Sequence, residues 1–276
     1  MTKIHTVQGG DALNIHVREW GNPSGPAILL IHGWSQNHLC WVKQYESELA
    51  EEFRIVALDL RGHGMSDSPS DVTHYNRSEL WAADIDAIIT QLDLTKPVLN
   101  GWSYGGLVIA DYVRIYGTEK IGAINFVGAA PALNEAALGK LIGPGFYENF
   151  EPCTNPDLAI SLPAIAKFLH DCFEIEPSPA DFELMLGFNA LVRPEIRANL
   201  AARDLHNADI LASIDLPVLV THGRQDKVVL PASGELFLDV CKNSQSAWYE
   251  GVGHVPFVED AARFNRELAM LVREVN

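Results

Sequence analysis

The sequence predicts an α/β protein: a mainly parallel, twisted sheet flanked by helices, with a helical cap inserted late in the chain. Three observations lead there. Short apolar runs at 26–31, 121–127 and 217–220 mark strands buried on both faces, and helix-period segments alternate with them at the spacing of β-α-β crossovers. From Ala130 to about Asp215 that rhythm stops, and only helical patterns broken by prolines appear. Between an apolar run at 97–99 and a helix-period stretch at 107–113 lies Gly101-Trp102-Ser103-Tyr104-Gly105, a glycine–serine–glycine turn from strand to helix.

Taken in order, residues 3–7 and 11–19 read as an antiparallel hairpin with Gly9-Gly10-Asp11 as its turn, because Leu13, Ile15 and Val17 alternate. The run at 26–31 ends in the loop His32-Gly33-Trp34-Ser35. A helix is expected over 39–52, with Trp41, Val42, Tyr45 and Leu49 on one side. Phe53 to Leu60 is the next strand, followed by the turn cluster from Arg61 to Asp67. Ser78 is placed to cap a helix running to Leu92. The strand and helix around Ser103 come next, then a strand over 121–127. Helices are expected near 135–142, 157–173, 179–191 and 194–205, separated by Pro144, Pro152, Pro156, Pro177, Pro179 and Pro194. After a strand at 217–222 come a helix from Pro231 to Cys241, a strand near 246–249 and a last helix over about 258–275. This divides the chain into a core, 1–130 with 216–276, and a cap, 131–215.

With 276 residues the chain buries enough surface to need no staples. Its net charge of −16 argues against nucleic acid or an anionic membrane as partner and favours a small neutral substrate. Cys40, Cys153, Cys172 and Cys241 are scattered without metal spacing and read as free buried thiols in a reducing compartment. The start, Met1-Thr2-Lys3-Ile4-His5, lacks the apolar stretch of a signal peptide, and no run is long enough to span a bilayer. The expectation is a cytoplasmic protein. The apolar cap faces suit either a pocket or a homo-oligomer contact.

A serine on a sharp strand-to-helix turn is a nucleophile candidate, because the helix-opening N–H groups favour negative charge beside it. Serine is weak at neutral pH and needs a base, which in turn needs an orienting carboxylate. Of ten histidines, His254 lies in the glycine-flanked loop between the last strand and the last helix, from where it reaches the turn. His222, ending a strand at the same sheet edge, is its rival. The strand before the cap ends in Phe126-Val127-Gly128-Ala129-Ala130 without an acid, whereas Asp226 follows the strand at 217–222. The catalytic set is therefore Ser103, Asp226 and His254, in the chain order this architecture uses. The backbone N–H groups of Tyr104 and Trp34 are the expected oxyanion donors. Trp34, Tyr147 and Phe188 are expected to wall the substrate pocket, drawn from an aromatic and aliphatic cap that includes Phe146, Phe150, Phe168, Phe173, Phe182, Leu184 and Met185.

Together, His32-Gly33-Trp34, Asp59-x-Arg61-Gly62-His63-Gly64-x-Ser66, Gly101 to Gly106, Gly223-x-x-Asp226 and Gly253-His254 resemble the α/β-hydrolase superfamily over nearly the whole chain outside the cap. Within it the sequence is similar to small esterases, to lactonases such as enol-lactonases, and to the cofactor-free non-haem haloperoxidase group. The resemblance implies the α/β-hydrolase fold, a Ser–His–Asp triad and an acyl-enzyme route, with no metal or organic cofactor. The serine separates this chain from haloalkane dehalogenases and epoxide hydrolases, which use aspartate. Haloperoxidase-like members often carry proline where this chain has Ser35, a departure that bears on perhydrolysis. Trp102 stands where a histidine is common and reads as packing under the sheet, without chemistry. Asp59 and residues 61–66 read as fixing a loop near the site. The expected activity is hydrolysis of a small carboxylic ester or lactone. Carbon–carbon bond hydrolysis or perhydrolysis by the same residues, and slow-turnover ligand binding, are the alternatives.

Overall fold

Alternating strands and helices fold as the hydrophobic pattern dictates. In the computed structural model, which describes residues 2–276, the N-terminal hairpin is β1 (Lys3–Gln8) and β2 (Asn14–Gly21), paired antiparallel across a short 3₁₀ turn. Met1, part of the N-terminal stretch considered above, lies outside the described residues. The apolar run then forms β3 (Ala27–Ile31), buried at every position. Here the first difference from expectation appears. Residues 38–52 are not one helix but a 3₁₀ turn at His38–Trp41, α1 (Val42–Tyr45) and α2 (Leu49–Glu52). Ser47 marks the break: its hydroxyl donates to the Gln44 carbonyl at 2.7 Å and accepts from the Leu49 N–H at 3.2 Å, an alternative to the helical ladder.

β4 (Arg54–Leu58) and α3 (Ser78–Gln91) follow. The helix starts at Ser78, with Arg77 in the capping position and no side-chain cap; the Ser78 hydroxyl accepts from Arg203 Nη2 at 3.2 Å instead. Then come β5 (Val98–Trp102), α4 (Tyr104–Tyr116) and β6 (Ala123–Val127). The eight-stranded sheet is completed by β9 and β10 defined below, in the order β1-β2-β4-β3-β5-β6-β9-β10. From β4 to β10 the neighbours are parallel; only the pairings of β2 with β1 and with β4 are antiparallel. β5 lies in the middle, in register with β3 and β6, so its end faces the loops of both neighbours.

Between β6 and β9 the chain is mostly helical but not free of strands. β7 (Ala132–Leu133) and β8 (Leu205–His206) pair antiparallel where the insertion leaves and rejoins the sheet. Between them run α5 (Pro144–Cys153), α6 (Leu158–Asp171), α7 (Pro179–Ala190) and α8 (Pro194–Leu200). The helix expected near 135–142 is only a 3₁₀ turn at Glu135–Ala137, and α5 arises where Pro144 and Pro152 suggest a break. Pro144 sits at the first helical position, where a missing N–H costs nothing. α9 (Ala208–Ala212), β9 (Val218–Gly223), α10 (Pro231–Val240) and β10 (Ser244–Tyr249) return to the sheet. The final helix is split at Asp260 into α11 (Pro256–Glu259) and α12 (Ala261–Glu274). All four cysteines are free and buried, and no helix among the described residues is long and apolar enough to cross a membrane.

Candidate active site

Ser103 is the single residue between β5 and α4. Its φ of 54° and ψ of −115° are strained for a residue with a side chain, at a cost of about 1–3 kcal/mol. Main-chain bonds hold it there: its N–H donates to Val127 O at 3.0 Å, and its carbonyl accepts from Gly106 N–H at 3.0 Å and Ala130 N–H at 3.1 Å. The turn closes only because residue 105 is glycine; a Cβ there would stand 2.5 Å from the Ile31 carbonyl oxygen. Ser103 is half-buried rather than sealed.

The loop after β3 lies directly against it. A Cβ on Gly33 would be 3.0 Å from the Ser103 Cβ. The backbone N–H groups of Trp34 and Tyr104 donate to no acceptor among the described residues. Two buried histidines hold this loop. His32 Nε2 accepts from Leu60 N–H at 3.0 Å while its Nδ1 donates to Gly33 O at 2.8 Å. His63 Nε2 accepts from Ser35 N–H at 3.2 Å while its Nδ1 donates to Arg61 O at 3.0 Å. Burial pushes His32 down to about 3 and His63 down to about 4, so both rings are neutral.

On the other side, His254 Nδ1 donates to Asp226 Oδ2 at 2.7 Å. Asp226 Oδ1 accepts from the N–H groups of Val228 and Val229 at 2.8 and 2.9 Å. Burial alone would raise this carboxyl; the adjacent His254 ring and its hydrogen bond, and after it the neighbouring His222 ring, outweigh this and hold the group down to about 2. His222 also lies beside Asp226, its Nε2 3.3 Å from Oδ2, but that nitrogen is already bonded to Val229 O at 2.9 Å.

Trp102 is more than packing. Its Nε1 donates to the His254 carbonyl at 2.9 Å and its ring centroid is 5.4 Å from that of His254. The only sign of this in the sequence is its place beside Ser103. Asp59 fixes the turn cluster as expected: Oδ1 accepts from His38 N–H and Nδ1 at 2.8 and 2.7 Å, Oδ2 from Met65 N–H at 2.9 Å. His16, His38 and Asp59 bring ligand-type atoms within 4.8 Å of one another, but these bonds already occupy both oxygens of Asp59.

The Trp34 ring meets Phe146, Phe150 and Phe168 at centroid distances of 5.3, 6.1 and 5.3 Å. Phe146 and Phe150, with Leu133, Leu138 and Tyr147, line a mostly apolar cavity of about 820 Å³. Arg203 closes one side of it and donates to Tyr104 Oη at 3.2 Å. Tyr147 lines this cavity, whose walls include none of Ser103, Trp34 and His254. Phe188 does not line it: at 3% exposure it is packed into the core with Met185. Sequence reasoning also passed over Arg197, fully buried on α8, whose backbone carbonyl accepts the Trp34 Nε1–H at 3.0 Å.

Residues 28–267 match the alpha/beta hydrolase family. A non-heme haloperoxidase of Rhodococcus erythropolis is 27% identical, the match covering 96% of this chain and 98% of that one. A bifunctional esterase/perhydrolase of Acinetobacter calcoaceticus is 26% identical over 95% and 97% of the two chains. The crystal structure of the esterase RhEst1 from Rhodococcus sp. ECU1013 superposes with a TM-score of 0.93 at 33% identity, covering 99% of both chains. With the parallel sheet, the Ser103 turn and this match over most of its length, the chain belongs to the alpha/beta hydrolase family.

Proposed function

We propose that the protein hydrolyses a small carboxylic ester or lactone through an acyl-enzyme on Ser103, beneath a cap formed by residues 131–215. The observation that carries this reading is the buried His254–Asp226 hydrogen bond of 2.7 Å at the sheet edge where Ser103 stands in a strained turn. His254 Nε2 takes the Ser103 hydroxyl proton as Oγ attacks the substrate carbonyl. Asp226, a carboxylate throughout, fixes the proton on Nδ1 and stabilises the imidazolium. The oxyanion rests on the Trp34 and Tyr104 N–H groups, which have no other acceptor among the described residues. The alcohol leaves with the proton from His254, and water activated by the same ring releases the acid. No step calls for a metal or organic cofactor. Phe146, Phe150 and Tyr147 offer an apolar wall to the non-reacting part of the substrate.

The similarity to proteins named as haloperoxidase and esterase/perhydrolase favours a second use of the same acyl-enzyme, with hydrogen peroxide replacing water. Both readings are tested together. Hydrolysis of p-nitrophenyl esters of two to eight acyl carbons is measured for wild type and Ser103→Ala, with and without peroxide. The expected loss in the variant is on the order of 10⁴-fold or more. Activity that survives in Ser103→Ala would sink the acyl-serine route. Peracid formed in the presence of peroxide adds the second reaction.

A further inference from the structure

We propose that Glu259 is a positioning residue: its one carboxylate ties the loop that carries His254 to the inserted helices, so that seating the insertion and aligning the base are a single event. The proposal rests on the reading of His254 as the base of a Ser103 nucleophile.

Glu259 is the last residue of α11, five positions after His254. Its partners lie elsewhere. Oε1 accepts from the Gly253 N–H at 2.9 Å, next to His254. Oε2 accepts from the Glu174 and Ile175 N–H groups at 3.0 and 2.8 Å, in the loop between α6 and α7. The same two segments are joined by a main-chain bond, His254 N–H to Cys172 O at 2.8 Å. They also touch: a Cβ on Gly253 would be 2.8 Å from both Cys172 O and Glu174 N. Burial raises the Glu259 carboxyl, and its backbone N–H bonds offset this only in part. Three backbone N–H donors from these two segments converge on its two oxygens.

This matters for His254 because its main chain is held from two directions. The core holds its carbonyl through Trp102 Nε1 at 2.9 Å; the insertion holds its amide through Cys172 O. Glu259 locks the second of these. Placement errors of about 1 Å at a reacting group cost on the order of 10²-fold in rate, so the tie reaches the chemistry without touching substrate.

Glu259→Gln cuts the tie while nearly preserving shape. A carboxamide has one acceptor oxygen, and its NH₂ faces N–H donors on whichever side the oxygen leaves. Three readouts on the full chain test the proposal: amide hydrogen exchange, the rate of Ser103 phosphonylation by a small alkyl fluorophosphonate, and kcat and KM for two- and eight-carbon p-nitrophenyl esters. The expected result is joint loss of protection at Gly253, His254, Glu174 and Ile175. Phosphonylation and kcat on both esters should also fall about ten- to a hundred-fold. Glu259→Asp, which keeps the charge on a shorter stem, should recover part of both effects. Unchanged protection at these amides overturns the proposal. So does unchanged phosphonylation with only the long-ester KM raised, because Glu259 would then hold the insertion alone. Wild-type phosphonylation that survives Ser103→Ala would sink the nucleophile assignment instead, and hydrogen exchange would still decide the tie.

Discussion

Trp102 shows how much a single side chain beside the nucleophile carries. Its indole packs edge-on against Phe257 at 4.9 Å and Trp41 at 6.4 Å, while its N–H fixes the His254 carbonyl. Trp102→Phe keeps most of the packing and removes one hydrogen bond with a net value of about 0.5–1.5 kcal/mol. Steady-state ester hydrolysis should show kcat reduced about two- to tenfold with KM little changed, and thermal melting should show only a small shift. A variant with unchanged kcat would mean that the loop holds His254 without this bond. What was legible at this scale was position along the chain. Ser103 between strand and helix, and Asp226 and His254 on loops at one sheet edge, follow from the order of elements. Which way a side chain points was not legible: Trp102 read as inert packing, and Phe188 as pocket wall, because composition says nothing about how α7 rolls against its neighbours.

Among the elements, the inserted helices depend on Arg197. It is 1% exposed, and its Nε donates to Ser35 Oγ at 2.9 Å, Nη1 to Cys153 O at 3.1 Å and Nη2 to Asn189 O at 2.7 Å. One guanidinium thus joins the end of α5, the end of α7 and the loop after β3. None of these acceptors is a carboxylate, and burial pushes the group down to about 10. A lysine cannot span three acceptors, and each buried acceptor left unpaired costs about 1–3 kcal/mol. Arg197→Lys should therefore melt about 5–10 °C lower in calorimetry and raise KM for long-chain esters. Equal melting temperatures would show that the helices seat without this contact. The parallel core was readable because continuous apolar runs have one low-energy use. The insertion was readable only as helical. α5 was missed because proline at a first helical position and proline as a breaker look the same in a sequence. β7 and β8 are two residues each, too short to leave an alternating pattern, and Ser47 splits a helix whose apolar spacing is otherwise sound.

For the whole molecule, acid is the condition that joins stability to the site. His32 and His63 are held neutral by burial, at about 3 and about 4, against an ordinary value near 6.5. Below 6.5 the unfolded chain binds protons that the folded chain refuses, so the stability these groups supply is complete above 6.5 and is lost as pH falls toward their folded values. The slope reaches about 1.4 kcal/mol per pH unit for each ring. Asp226, held down to about 2, adds a loss of the same sign, but only below the ordinary aspartate value. Glu259, raised by burial, acts the other way: its contribution is present at low pH and is lost as pH rises through its folded value. Between pH 6.5 and 5 most carboxylates of this acidic chain are still ionised, so histidines govern the window: His32 and His63, with His16, which burial also lowers, adding a loss of the same sign. The melting temperature should fall steadily across that window, and His63→Gln, whose side-chain oxygen can still accept from Ser35 N–H, should flatten the slope. Because both rings hold the loop bearing the Trp34 N–H, ester hydrolysis should be lost over the same range as the fold loosens. Melting curves at half-unit steps decide it: a flat melting temperature from pH 6.5 to 5 in the wild type would mean that these rings take up protons without unfolding the loop.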